Sequence, residues 1–233
     1  NKQVSMSNNT KWLASVQSLE EAQSLNECLP DILDMKQPAQ GALGALPLDV
    51  VKNVVKWASG RCLTSATVGD LPMQVQFIEP AIMKMAETGV DYVKVGLFGG
   101  DEQAECLQEL TPVIKQLNTP VIAVTFADRH YEKDVIKQVL QTGFSGVMID
   151  TAEKNGRSLL DLWSVDALTD FVNVVKDAQQ LCGLAGALRI DDIATLRTLQ
   201  PDYLGFRSAL CPDRKRNGTL SVTLAKTIAS ALQ

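Results

Sequence analysis

The stretch WLASVQSLEEA, Trp12–Ala22, is an apolar run that passes into polar residues of helical character with no glycine in the turn. A doubly wound nucleotide-binding sheet more often carries a glycine-rich turn there, after its first strand. Outward from this point the same unit repeats. Apolar runs of strand length recur at DILDMK (31–36), CLTSATVG (62–69), DYVKVGLF (91–98), VIAVTFAD (121–128), GVMID (146–150), CGLAGAL (182–188) and YLGFRSAL (203–210). Between them apolar residues return every three or four positions, as at Leu107, Leu110, Val113, Ile114 and Leu117, at Val135, Ile136, Val139 and Leu140, and at Leu168, Phe171, Val172 and Val175. Strands rich in Val, Ile, Leu and Ala that alternate with helices make a parallel sheet with its outer face covered. Eight such units predict an α/β fold with a single (β/α)₈ TIM barrel over residues 11–233, closed by a last helix from about Thr219 to Leu232 and preceded by a flexible polar leader over residues 1–10.

Composition narrows the partners. With 45% apolar and 21% charged residues, the 233-residue chain has ample material for one core. A net charge of −5 argues against nucleic acid, whose phosphate backbone needs a basic face. Five cysteines, an odd number with no C-x-x-C pair, fit a reducing compartment and hence the cytoplasm. Cys62 and Cys182 read as small core residues. No apolar run reaches the roughly 18 residues of a membrane helix. The outer helical faces leave room for a homo-oligomer without marking any one patch.

Chemistry in such barrels gathers at the carboxyl ends of the strands. The ends here nominate Ser15, Asp34, Lys36, Thr67, Asp70, Lys94, Asp128, Asp150, Lys154, Arg207 and Ser208. Asp34 and Lys36 share one face of their strand and Met35 takes the other. Lys36, Lys94 and Lys154 follow the second, fourth and sixth strands, and alternate strands supply the same interior layer, so the three ammonium groups can converge. A free lysine titrates near 10.4, and burial beside other cations lowers that by as much as roughly 3–5 units, enough to expose a nucleophilic amine. Such an amine captures a carbonyl as an imine, and the protonated imine acidifies the neighbouring C–H. The competing reading is a set of rim ion pairs, Asp34–Lys36 and Asp150–Lys154; three lysines at three strand ends favour catalysis.

The loops after the seventh and eighth strands of this fold often bind phosphate. Gly186, Ala187, Ser208 and Ala209 are small enough for close approach there, with Arg207 as a charged clamp. The single histidine, His130, lies in the loop-like ADRHYEK and gives no support to a Ser–His–Asp triad or a multi-histidine metal site. VGLFGGDEQ matches neither a P-loop nor a dinucleotide fingerprint. The basic run DRKRNG, which includes Arg214–Arg216, reads most simply as a solvated loop, with a lid as the weaker alternative.

Several longer stretches resemble one family, the (5-formylfuran-3-yl)methyl phosphate synthases of methanofuran-type cofactor biosynthesis. DMKQPAQGALGA resembles its D-V-K-N-P-x-x-G-S-L-G-A, and DTAEKNGRSLLD its D-T-A-x-K-D-G-x-S-L-x-D; TSATVGD, DYVKVGLFG, LAGAL and GFRSALCPDRKRNG are similar in family order. The resemblance implies a (β/α)₈ lyase that condenses two molecules of glyceraldehyde 3-phosphate with loss of phosphate and water, using no metal or organic cofactor. It places the Schiff-base lysine at Lys36 and the proton-accepting lysine at Lys94, with Asp34, Asp150 and Lys154 as further polar site residues. Met35 stands where the family has Val, Ser208 where Gly is common, and the segment around His130 departs from the pattern. Neither charge content nor ion-pair pattern suggests a hyperthermophile, which points to a bacterial C1-metabolism setting. A class I aldolase for another sugar phosphate and a silent barrel that only binds a phosphorylated ligand are the alternatives.

Overall fold

Side-chain alternation sorts each apolar run into an inner and an outer face, and the structure, a computed structural model, shows both faces buried. It describes residues 9–233. The strands are β1 (Lys11–Val16), β2 (Ile32–Met35), β3 (Leu63–Thr67), β4 (Tyr92–Gly96), β5 (Val121–Phe126), β6 (Gly146–Asp150), β7 (Leu181–Leu184) and β8 (Tyr203–Phe206). All neighbours are parallel and β8 pairs back onto β1, closing an eight-stranded barrel. Eight of the helices, from Leu19–Ser24 to Val222–Ala231, form the outer layer that parallel strands require. The last of these is shorter than its sequence pattern, because the Ser221 side chain accepts from Leu224 N and fixes its start. The polar leader lies outside the described residues except at its end. There Thr10 is buried, its hydroxyl donating to the Pro201 carbonyl at 3.0 Å, so the barrel begins before Lys11.

Two apolar clusters follow from the alternation. Outward-facing Ala14, Val16, Leu33, Met35, Val93 and Val95 join helix residues such as Leu168, Phe171, Val172 and Val175 in the larger one. Inward-facing Leu13, Ile32, Ile122, Val124, Phe126, Met148 and Tyr203 form the smaller one, inside the barrel. Cys182 is buried as expected, whereas Cys62 is only partly covered.

Aspartates lock the strand starts. Asp31, Asp91 and Asp202 each stand one residue before a strand and accept from the backbone N–H of the strand before it: Trp12 at 2.9 Å, Thr64 at 2.8 Å and Cys182 at 2.7 Å. The β1–β8 seam is locked at its other end by Arg207. Its guanidinium donates to both oxygens of Glu21, at 2.6 and 3.1 Å, and to the carbonyls of Ser15, Arg216 and Gly218.

Candidate active site

Two loops carry the site, and each is folded by a carboxylate from the neighbouring strand end. After β2 the chain turns at Pro38–Gln40 and then offers the N–H groups of Ala42 and Leu43 to Asp70, at 3.2 and 2.8 Å. Gly41 makes that approach possible: its φ is +106°, and a Cβ there would stand 2.2 Å from Asp70 Oδ2. Thr67 braces the same loop through the Gly44 carbonyl. After β6, Asp128 accepts from Ala152 N at 2.7 Å and Glu153 N at 2.8 Å, which bends the chain so that Lys154 returns toward the barrel. Asp70, Thr67 and Asp128, nominated by position alone, therefore shape loops; none of the three lines the cavity.

At the carboxyl ends of the strands the inner face turns polar. A cavity of about 590 Å³ opens there, lined by Ser15, Asp34, Lys36, Lys94, Asp150 and Lys154 together with the β7 and β8 loops. On the other side of the barrel, Phe98 stacks on Phe126 with centroids 4.7 Å apart. Small residues at Ala185 and Gly205 leave the β7–β8–β1 side open.

The three lysines converge around two buried carboxylates, in pairs that differ from the sequence-local ones. Asp34 does not pair with Lys36, two residues on. It holds Lys94 across the barrel at 2.9 Å through Oδ2 and accepts the Ser65 hydroxyl at 2.7 Å through Oδ1. Asp150 takes both of the others, Lys154 at 3.2 Å and Lys36 at 3.6 Å. Lys154 is further fixed by the Thr151 carbonyl at 2.6 Å. Lys36 has one other partner, the Ala42 carbonyl at 3.4 Å, and is the most loosely held of the three.

Burial, more than mutual repulsion, drives the electrostatics. It pushes the Lys94 ammonium below the ordinary lysine range; Asp34 opposes this and Lys36 adds to it. Lys154 is lowered in the same way by burial, against the pull of Asp150 and with help from Lys36 and Arg216. For Asp150, burial alone would raise the carboxyl. The ammonium groups of Lys154 and Lys36, with the Thr151 N–H, outweigh it and hold the group well below the usual carboxylate range.

The expected anion-binding residues divide. Gly186, Ala187 and Ser208 line the cavity, and Ala209 packs into the outer core instead. Gly186, at φ +117°, lets the β7 loop lie against Thr151, where a Cβ would come within 2.8 Å of Cγ2. Arg207 also reaches the wall, but its five contacts with Glu21 and three carbonyls occupy the fork, which makes it a seam lock in place of the clamp expected from sequence. The run DRKRNG is not simply a solvated loop. Arg216 is half-buried on the cavity wall, bound to the Pro38 carbonyl across the mouth and close enough to Asp150 to feel its charge. Arg214 holds the Ala187 carbonyl at 2.7 Å. Sequence reasoning missed both, because nothing in a run of charges says which members fold inward. Seven cationic side chains face this cavity against three carboxylates, so its local charge is opposite to that of the whole protein.

His130 is exposed and apart from the site. Among the described residues no group of three or more His, Cys, Asp and Glu is placed to hold a metal ion, and no helix is long and apolar enough to cross a membrane.

Comparison with known proteins bears on the fold and the family. Solved structures with the same fold include phosphoribosyl anthranilate isomerase from Thermotoga maritima (TM-score 0.66, 11% identity, 96% of this chain and 98% of that one). A 3-hexulose-6-phosphate synthase is another (TM-score 0.63, 16% identity, 95% and 99%). Similarity in sequence runs to a protein of Methylorubrum extorquens, 38% identical over 210 residues that cover 90% of this chain and 86% of that one. The (5-formylfuran-3-yl)methyl phosphate synthase of Methanococcus maripaludis strain C7 is 33% identical over 93% of this chain and 96% of its own length. That of Methanopyrus kandleri is 31% identical over 95% and 98%. The model of the 4-HFC-P synthase family matches residues 12–229, nearly the whole barrel, and the chain belongs to that family.

Proposed function

We propose that the protein condenses two molecules of glyceraldehyde 3-phosphate into (5-formylfuran-3-yl)methyl phosphate through a Schiff base on Lys36, with release of one phosphate and water. The observation that carries this reading is the convergence of Lys36, Lys94 and Lys154 on two buried carboxylates inside a cationic cavity.

Lys36 suits the nucleophile. It is the least restrained of the three amines, and its partner Asp150 stays ionised to take up the positive charge of the imine. Its Nζ attacks the aldehyde carbon, and the carbonyl oxygen departs as water. Lys94, lowered by burial, removes the proton from the carbon next to the imine and leaves an enamine. The enamine expels phosphate from its next carbon, which leaves a conjugated imine, and the terminal CH2 of that imine accepts the α-carbon of the second molecule, deprotonated in turn. The hydroxyl oxygen beside the imine then closes on the second aldehyde carbon, two waters leave to form the furan, and hydrolysis of the imine frees the formyl group and Lys36. Lys154, tied to Asp150 and Thr151, is suited to protonating departing oxygen.

The anionic ends of the substrates fit the β7 and β8 loops. Gly186 and Ala187 leave room, the Ser208 hydroxyl is buried there without a partner, and Arg214 and Arg216 supply the charge that Arg207 does not. Substrate oxygens at Ser208 would satisfy a group whose isolation costs about 1–3 kcal/mol.

The test is to supply glyceraldehyde 3-phosphate alone and follow inorganic phosphate together with furan absorbance. Both should rise in step. Carbon–carbon bond formation with no phosphate released would mark a simple aldolase and overturn the proposal.

A further inference from the structure

A second cavity, about 780 Å³, enters the barrel from the opposite end, where the strands begin. Lys11, Asp31 and Arg61 line it along with the barrel residues Ile32, Tyr92 and Tyr203. Among the described residues the two cavities share only Leu13 and Lys94. Asp34 faces the upper one and Ser65 the lower one. Between them runs an unbroken chain: the Ser65 hydroxyl donates to Asp34 Oδ1 at 2.7 Å, and Asp34 Oδ2 meets Lys94 Nζ at 2.9 Å. Asp34 and Lys94 are otherwise sealed, at 0% and 2% exposure.

We infer that the lower cavity is a solvent route to Lys94, and that Ser65 and Asp34 carry its proton there. The inference rests on the reading of Lys94 as the base. A phosphorylated substrate fills the upper cavity, so a proton taken by Lys94 meets bound substrate above it and water only below. The ammonium passes that proton to Asp34. The carboxyl turns toward Ser65, whose oxygen accepts the proton while its own hydrogen leaves to water in the lower cavity. Lys94 ends neutral, Asp34 ionised and Ser65 intact, so no charge is stranded. Asp34 thus pairs with Lys94 and also serves as its outlet.

The experiment runs the reaction with glyceraldehyde 3-phosphate in D₂O and counts deuterium gained, at the carbon beside the aldehyde in recovered substrate, per product formed. In the unaltered protein solvent deuterium should enter; complete retention of the original hydrogen would overturn the route with no mutation needed. Ser65→Ala and Ser65→Val should cut deuterium per turnover roughly 100-fold, the low end of what a placed proton-transfer group contributes. Ser65→Thr, which keeps the hydroxyl, should restore it. A role for Ser65 in merely holding Asp34 would slow turnover and exchange together and leave the ratio unchanged, and that result would also overturn the route. Lys94→Met separates the two levels. If it keeps turnover, the reading of Lys94 as base fails; if it abolishes exchange while Ser65→Ala keeps the normal ratio, only the outlet fails.

Discussion

Lys36 Nζ and Lys154 Nζ stand on the two oxygens of one carboxylate, 3.6 Å from Asp150 Oδ2 and 3.2 Å from Oδ1. Neither lysine can change its charge or its covalent state without the other feeling it through Asp150, which couples the amine proposed to form the imine to the ammonium beside it.

Lys36→Arg keeps a cation beside Asp150, but guanidinium stays protonated and cannot form an imine. Borohydride added with substrate should fix label on Lys36 of the unaltered protein and none on the variant, by peptide mass mapping. Turnover should fall at least roughly 1000-fold, as for loss of a nucleophile. A fully active variant would refute the assignment.

Arg216 and Arg207 should separate binding from stability. Arg216→Ala removes a cation from the cavity wall, so KM should rise about 10- to 100-fold, the worth of one charge-assisted hydrogen bond, with thermal stability nearly unchanged. Arg207→Ala leaves the largely covered Glu21 carboxylate without its cation, with only the N–H groups of Gln17 as partners, and should lower unfolding stability by about 3 kcal/mol. Denaturant titrations and steady-state kinetics on both variants decide.

Asp150 gives a pH signature. Its folded-state pKa lies below the unfolded value, so the stability it confers is complete above that unfolded value, near 3.9, and is lost as pH falls from there through the lower folded-state value. At pH 7 Asp150→Asn should be less stable than the unaltered protein by roughly 3 kcal/mol, since two ammonium groups lose their partner. The gap should close as the solution is acidified below about pH 4. A gap that widens in acid would contradict the pairing.

Asp91→Ala tests the strand-start locks. It withdraws the acceptor of Thr64 N and of the Thr64 hydroxyl, 2.8 and 3.1 Å away, on the floor of the barrel far from the upper cavity. Stability should drop about 1–3 kcal/mol while KM holds.

The barrel was legible because parallel strands covered on both faces must be apolar throughout, and eight such runs stand out at LASV or VIAV. The lysine cluster was legible for a related reason: Lys36 and Lys94 interrupt those runs, and a charge in a buried strand needs a purpose. Partner choice was hidden. Asp34 skips the neighbouring Lys36 for a residue 60 positions away, because the curvature of the closed sheet, absent from any local pattern, brings β2 and β4 face to face across their interior. Arg207 and Arg216 lie where no local pattern puts them, for the same reason. Glu21, which occupies Arg207, is 186 residues distant, and nothing near Arg207 announces it.

That long-range lock has a consequence for biogenesis. Arg207, just past the last strand, holds Glu21 and Ser15, beside and on the first strand, and the same fork grips the Arg216 and Gly218 carbonyls of the basic segment behind it. A chain with only seven strands in place has its three lysines yet lacks Arg214 and Arg216 on the wall above them, so closure of the ring and completion of the cationic cavity arrive together.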